Sequence, residues 1–288
     1  MRKIALLWLF LSFCLSAVLT AAQNQVVYNS IPNPLPGNVA SEGPEAYAFA
    51  ELGDGLALTA NTGKLQQVTF VMSSWACQSG NWTSGNCVTS SGATFSQPLT
   101  ISVYSANDTV PPTVGSLLGT ITETFNLPYR PSSTPSLCGG DATRWYSSKD
   151  NTCYHGLADA EKVNLSSQHI PVPANGKIIL TVAFNTTHYG YNPIGESAPC
   201  YGTSAGCPYD SLNISTDTTD GVFKFVGGPL DPNGIFVNYT LPNNSCTGTI
   251  TTGVLVDDTA PGCWAGFHPE FEVRANANPR QLSKGNAR

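Results

Sequence analysis

Charge is scarce in this sequence. Asp, Glu, Lys and Arg make up 11% of its 288 residues, against about 25% in an ordinary soluble domain. That deficit excludes a helical protein laced with surface ion pairs. The 13 basic residues are scattered, so no patch suits a nucleic-acid backbone or an anionic membrane. Beyond the first 22 residues, no apolar run is long enough to cross a bilayer. There is no His-Glu-x-x-His, no Cys-x-x-Cys and no EF-hand loop, so the regular signatures of zinc and calcium sites are missing. What is plentiful is glycine (27) and proline (21), the composition of a turn-rich chain.

The amino terminus reads as an address. Arg2 and Lys3 precede an almost wholly apolar run from Ile4 to Val18, and Thr20, Ala21 and Ala22 supply small residues before Gln23. Residues 1–22 are therefore expected to be a secretory signal peptide. A membrane-spanning helix is the competing reading and would need about 20 apolar residues. Removing Arg2 and Lys3 takes the basic residues from 13 to 11 against 19 acidic ones, a formal charge of −8. The expectation is a secreted protein, extracellular or periplasmic, with no stable membrane insertion.

Eight cysteines follow the leader, in four near pairs separated by wide gaps. An oxidising compartment favours disulfides, and the spacing predicts Cys77–Cys87, Cys138–Cys153, Cys200–Cys207 and Cys246–Cys263. Each would close one local loop, and none would tie distant parts of the chain together.

Period-two patterns dominate the rest. LQQVTFVMSS (65–74), LTISVY (99–104), LLGTITETF (117–125) and KIILTVAF (177–184) are rich in β-branched and aromatic residues, as are 222–226, 235–239, 254–256 and 271–273. Asp54-Gly55 is read as the turn of a hairpin between 47–52 and 56–59, although the alanines there also permit a short helix. The predicted fold is all-β: a two-layer antiparallel β-sandwich, jelly-roll-like, occupying 23–275 as one domain. Large stapled loops are expected at about 127–162 and 190–220, with a polar tail at 276–288.

The opening VYNSIPNPLPGN (27–38) and SEGPEA (41–46), with VTFVMSSW (68–75), residues 99–125 and FHPEFEV (267–273), resembles secreted bacterial proteins of unknown function, some of which carry C-terminal sorting anchors. The resemblance touches about a quarter of the chain and implies no activity. No such anchor is recognisable here, so release is expected. Pro32, Pro34 and Pro36 hold an extended segment suited to capping a sheet edge, and FHPEFEV supplies the last strand, beside an early one.

Several side chains are candidates for chemistry. Glu270 and Glu272 flank Phe271 and would share one strand face about 6.6 Å apart, near the separation of about 6.5–9.5 Å used by inverting glycosidases. Glu123 is a candidate partner from another strand. The blander reading is a solvated strand face. Asp257 and Asp258, or Asp217 and Asp220, could join backbone carbonyls around a structural calcium, with turn and cap roles as the alternative. Ser204-Ala205-Gly206-Cys207 is too little to name a nucleophile. Trp82, Trp145, Tyr154, His188 and Tyr191 are the ligand-binding candidates, because planar rings beside Asn and Ser suit sugars. Packing of long loops is the competing use of those rings. Seven Asn-x-Ser/Thr sites occur, at Asn81, Asn107, Asn164, Asn185, Asn213, Asn238 and Asn243.

These features point to a binding or cell-surface component with an extracellular glycan as ligand. A secreted carbohydrate-active hydrolase using paired carboxylates is the alternative, and a purely structural matrix protein the third reading.

Overall fold

The structure, a computed structural model, describes residues 24–44, 48–80, 82–184, 212–216, 226–241, 251–259 and 266–276. It is nearly all β, and every named strand pair is antiparallel. In chain order the strands are β1 Asn24–Asn29, β2 Ser41–Glu42, β3 Phe49–Ala57, β4 Lys64–Ser74, β5 Thr94–Ala106, β6 Val114–Pro128, β7 Trp145–Ser147, β8 Thr152–Tyr154, β9 Leu157–Asn164, β10 Lys177–Ala183, β11 Leu212–Ser215, β12 Gly228–Pro229, β13 Ile235–Tyr239, β14 Leu255–Asp258 and β15 Phe271–Asn276.

A six-stranded sheet runs β1-β15-β4-β11-β2, with β9 also pairing with β4. A seven-stranded sheet runs β14-β13-β3-β10-β5-β6, with β12 beside β3. Both sheets feed one core: Leu65, Val68, Phe70 and Met72 of β4 join Leu99, Ile101 and Val103 of β5 and Ile178, Leu180 and Val182 of β10. Phe70 meets Phe125 edge-on at 5.8 Å, a contact from β4 to β6. The break in strict alternation between Leu65 and Val68 is a bulge, where β15 shifts register between Arg274 and Ala275. The extra residue lets both side chains face inward.

The all-β expectation holds, and β15 does pair with an early strand, β1. The hairpin at Asp54-Gly55 does not form. Residues 49–57 are one strand, paired with β10 on one side and β13 on the other. The local turn preference of Asp-Gly is overridden by close packing. A Cβ on Gly53 would lie 2.0 Å from the Leu180 carbonyl oxygen, and one on Gly55 would lie 2.9 Å from the Phe236 ring. Glycine is there because neighbouring groups leave no room. The region expected as loop at 127–162 holds the β7–β8 hairpin and most of β9.

The proline-rich segment after β1 ends on β9. Gly37 O accepts from Ala158 N at 3.0 Å, and Gly37 N donates to Asp150 Oδ2 at 2.7 Å. Ser73 Oγ donates to Asn38 Oδ1 and Thr216 N to Ala40 O.

Both disulfides that fall on described residues are present, Cys77–Cys87 and Cys138–Cys153. Each is worth about 2–3 kcal/mol by restricting the unfolded loop. Cys200–Cys207 and Cys246–Cys263 lie outside the described residues, as do the leader and residues 277–288.

Candidate functional site

The segment leading into the Cys138–Cys153 loop docks on the segment that carries the Cys77–Cys87 loop. Ser133 N donates to Cys87 O at 3.2 Å, Thr89 N donates to Ser132 Oγ at 2.8 Å, and Arg130 N donates to Ala76 O at 3.0 Å. The Arg130 side chain is fully buried between them. Its Nη1 donates to Thr143 O at 2.9 Å and its Nε to Pro131 O at 3.3 Å. Burial lowers its pKa to about 10, so the guanidinium stays charged at neutral pH.

Above this joint three rings gather. Trp75 leaves the end of β4 and Trp82 comes from within the Cys77–Cys87 loop, their centroids 4.9 Å apart at 65°. His155 lies 5.8 Å from Trp75, almost parallel to it, and 5.0 Å from Trp82. All three are half-buried. Arg144 Nε donates to His155 Nε2 at 3.2 Å, which leaves the His155 proton on Nδ1, 3.3 Å from Thr143 O. Burial pushes the His155 pKa down, so the ring is neutral. Asp141 holds Arg144 at 3.1 Å. The Thr143 hydroxyl and amide keep the Asp141 carboxyl below its usual range.

Of the ring candidates, Trp82 is therefore part of a cluster, joined by Trp75 and His155, which the sequence candidates omitted. Trp145 is buried and donates from Nε1 to Gly156 O at 2.8 Å, so it anchors the β7–β8 hairpin. Tyr154 sits 5.9 Å from Trp145, with its hydroxyl donating to Asp150 Oδ2 at 2.9 Å. His188 and Tyr191 lie outside the described residues.

The acidic candidates separate into unlike environments. Glu270 is buried just before β15, its amide donating to Ser215 Oγ at 3.0 Å. Glu272 is engaged by Arg274 Nε at 2.7 Å. The pair thus has one buried member and one ion-paired member, in place of an open solvated face. Glu123 lies on β6 opposite Leu99, on the face that carries Ile121 and Phe125 toward the core.

Asp257 and Asp258 are adjacent strand residues and so point to opposite faces of β14. Asp258 accepts from Tyr239 OH at 2.6 Å. Burial, with the charges of Asp231, Asp54 and Asp258, raises Asp257 to about 7. No group of three or more potential metal ligands occurs among the described residues, and Asp217 and Asp220 lie outside them.

Two clusters carried no signal strong enough to single out in the sequence. Glu51 Oε1 accepts from Tyr104 OH at 3.0 Å and from the Thr181 hydroxyl. Burial, then Glu51, raises Tyr104 to about 12. Asp159 and Glu161 form the second cluster. They lie two residues apart on β9 and share one strand face, the arrangement expected of Glu270 and Glu272. Burial raises both, and Glu161 reaches about 7 with the help of Asp159. The alternation Leu157-Ala-Asp159-Ala-Glu161-Lys-Val163 was the available clue. Gly202-Thr-Ser204-Ala-Gly206 has the G-x-S-x-G spelling, but it too lies outside the described residues.

The Asn-x-Ser/Thr sites also divide. Asn107 and Asn164 are exposed, whereas Asn213 is fully buried in β11 with its Nδ2 donating to Ser41 Oγ. Compared with known proteins, the chain matches no protein family, no curated protein and no solved structure.

Proposed function

We propose that this is a secreted binding protein whose ligand is an extracellular glycan, held on the Trp75–Trp82–His155 ring cluster. The carrying observation is that cluster: three half-buried rings within 4.9 to 5.8 Å, with Trp82 inside the Cys77–Cys87 loop, Trp75 just before it and His155 just after the Cys138–Cys153 loop. Ring faces cover the apolar side of a sugar, and Arg144, Asp141 and the exposed Thr83 and Asn86 supply polar partners at the rim. The crosslinks hold the rings before binding, which lowers the ordering cost. The leader, the disulfides and the bacterial resemblance support delivery outside the cytoplasm. The shared core of the two sheets supports the finer reading of a jelly-roll-like sandwich beneath the loops.

A glycan array with and without calcium tests this, run on wild type and Trp82→Ala. Binding to a restricted set of glycans in wild type, weakened about tenfold or more in the variant and indifferent to calcium, is the expected result. Absence of any glycan signal overturns the ligand class.

A second reading, a secreted carbohydrate-active hydrolase, is favoured by the Asp159–Glu161 pair, since a carboxyl kept protonated near neutrality can act as a general acid. Retaining glycosidases, however, hold their carboxyls about 5–5.5 Å apart, flanking the scissile bond, whereas these two are neighbours on one strand face. Reducing-sugar release that disappears in Glu161→Gln would move the assignment to this reading.

A further inference from the structure

We propose that Asp159 and Glu161 form a pH-sensitive latch that secures strand β9 and, through it, the ring cluster. The link to ligand binding rests on the glycan reading above; the latch itself does not. Asp159 lies opposite Met72 and Glu161 opposite Phe70, both fully buried core residues of β4. Alternation along β9 puts both carboxyls on the face that carries Val163 into the core, with Lys162 on the other face. The pair therefore sits against apolar side chains on a strand whose partner is β4.

The charged surroundings are one-sided. Residues 67–74 of β4, which pair with β9, contain no ionisable side chain. Strand β6 approaches β9 from the other sheet, and its one charged residue is Glu123. Among the described residues, neither Asp159 nor Glu161 has a cationic partner. With one proton between them, the two groups satisfy each other. Once that proton leaves, two carboxylates oppose each other beside Phe70 and Met72.

The strand connects directly to the rings. Leu157 opens β9 two residues after His155, and its partner Ser74 immediately precedes Trp75. Loosening the start of β9 thus releases the backbone on both sides of the Trp75–His155 stack.

The sign follows from the direction of the shifts. Burial raises both acids, and Glu161 moves from 4.5 to about 7. A proton held more tightly in the folded state stabilises it fully below the unfolded value. That contribution is lost as pH rises through about 7. The latch is closed in mildly acidic surroundings and weakened in alkaline ones.

Hydrogen exchange read by mass spectrometry tests this on the intact, oxidised chain, with rates corrected for the intrinsic effect of pH. Peptides covering 157–164 and 75–86 should open roughly tenfold more often at pH 8 than at pH 5.5, while a peptide covering 177–183 in the other sheet should change by less, no more than the shift in global stability. Glu161→Gln and, independently, Asp159→Asn should flatten the profile of 157–164. Protection of 157–164 that does not vary with pH in wild type, or a wild-type profile surviving in both variants, overturns the latch. Opening of 157–164 without 75–86 overturns its link to the rings. None of these readouts uses a glycan, so failure of the glycan array and failure of the latch are separate results.

Discussion

Gly37 and Asp150 show how single residues hold the ring-bearing region together. A Cβ on Gly37 would lie 2.7 Å from the Tyr154 ring and 2.8 Å from Ser147 Cβ, so only glycine lets the proline-rich segment reach the β7–β8 hairpin. Asp150 then accepts from the Gly37 amide and the Tyr154 hydroxyl through one oxygen. Burial pushes the Asp150 carboxyl up, but these bonds win and hold it below its usual range. Gly37→Val should lower stability by about 1–3 kcal/mol through overpacking, measured by denaturant unfolding. An unchanged midpoint would mean that the segment shifts without cost. At this scale the sequence revealed residue types better than roles. Trp82 was recognisable as a ring on a stapled loop. Its partners Trp75 and His155, 80 residues apart in the chain, could not be matched without the β4–β9 pairing.

Strands were readable where alternation was unbroken. Residues 235–239 form β13 as read, and 65–74 form β4 with one residue added. Strand β9 escaped because Ala158, Asp159, Ala160 and Glu161 are poor strand formers by propensity, and pairing with β4 overrides that. The misread at Asp54-Gly55 has the same origin: a turn signal is local, whereas Gly53 and Gly55 answer to Leu180 and Phe236. Cysteine spacing fared better because a short loop brings its own ends together. Phe70→Ala should cost about 3–5 kcal/mol, since the ring is fully buried against Phe125. Calorimetry checks it, and a loss below 1 kcal/mol would show that the two sheets do not share this contact.

For the whole molecule, opposed sets of acids shape the response to pH. Asp150 and Asp141 are held below their usual range, so their stabilising contribution is present above the unfolded value and fades as pH falls through the folded one. Glu161 and Asp257 are raised to about 7, so theirs is present in acid and fades toward neutrality. The unfolding midpoint should therefore peak at about pH 4 to 4.5 and fall from there toward pH 7. A midpoint that climbs steadily to pH 8 would contradict the assignment of Glu161 and Asp257 as protonated in the folded state.

The central claim is that binding resides on crosslinked loops mounted on a β core that stands without them. Replacing Cys77, Cys87, Cys138 and Cys153 by serine and comparing glycan binding with far-ultraviolet circular dichroism tests it most directly. The account predicts that binding is lost while the β signal persists. Full binding by the loop-opened variant would contradict it.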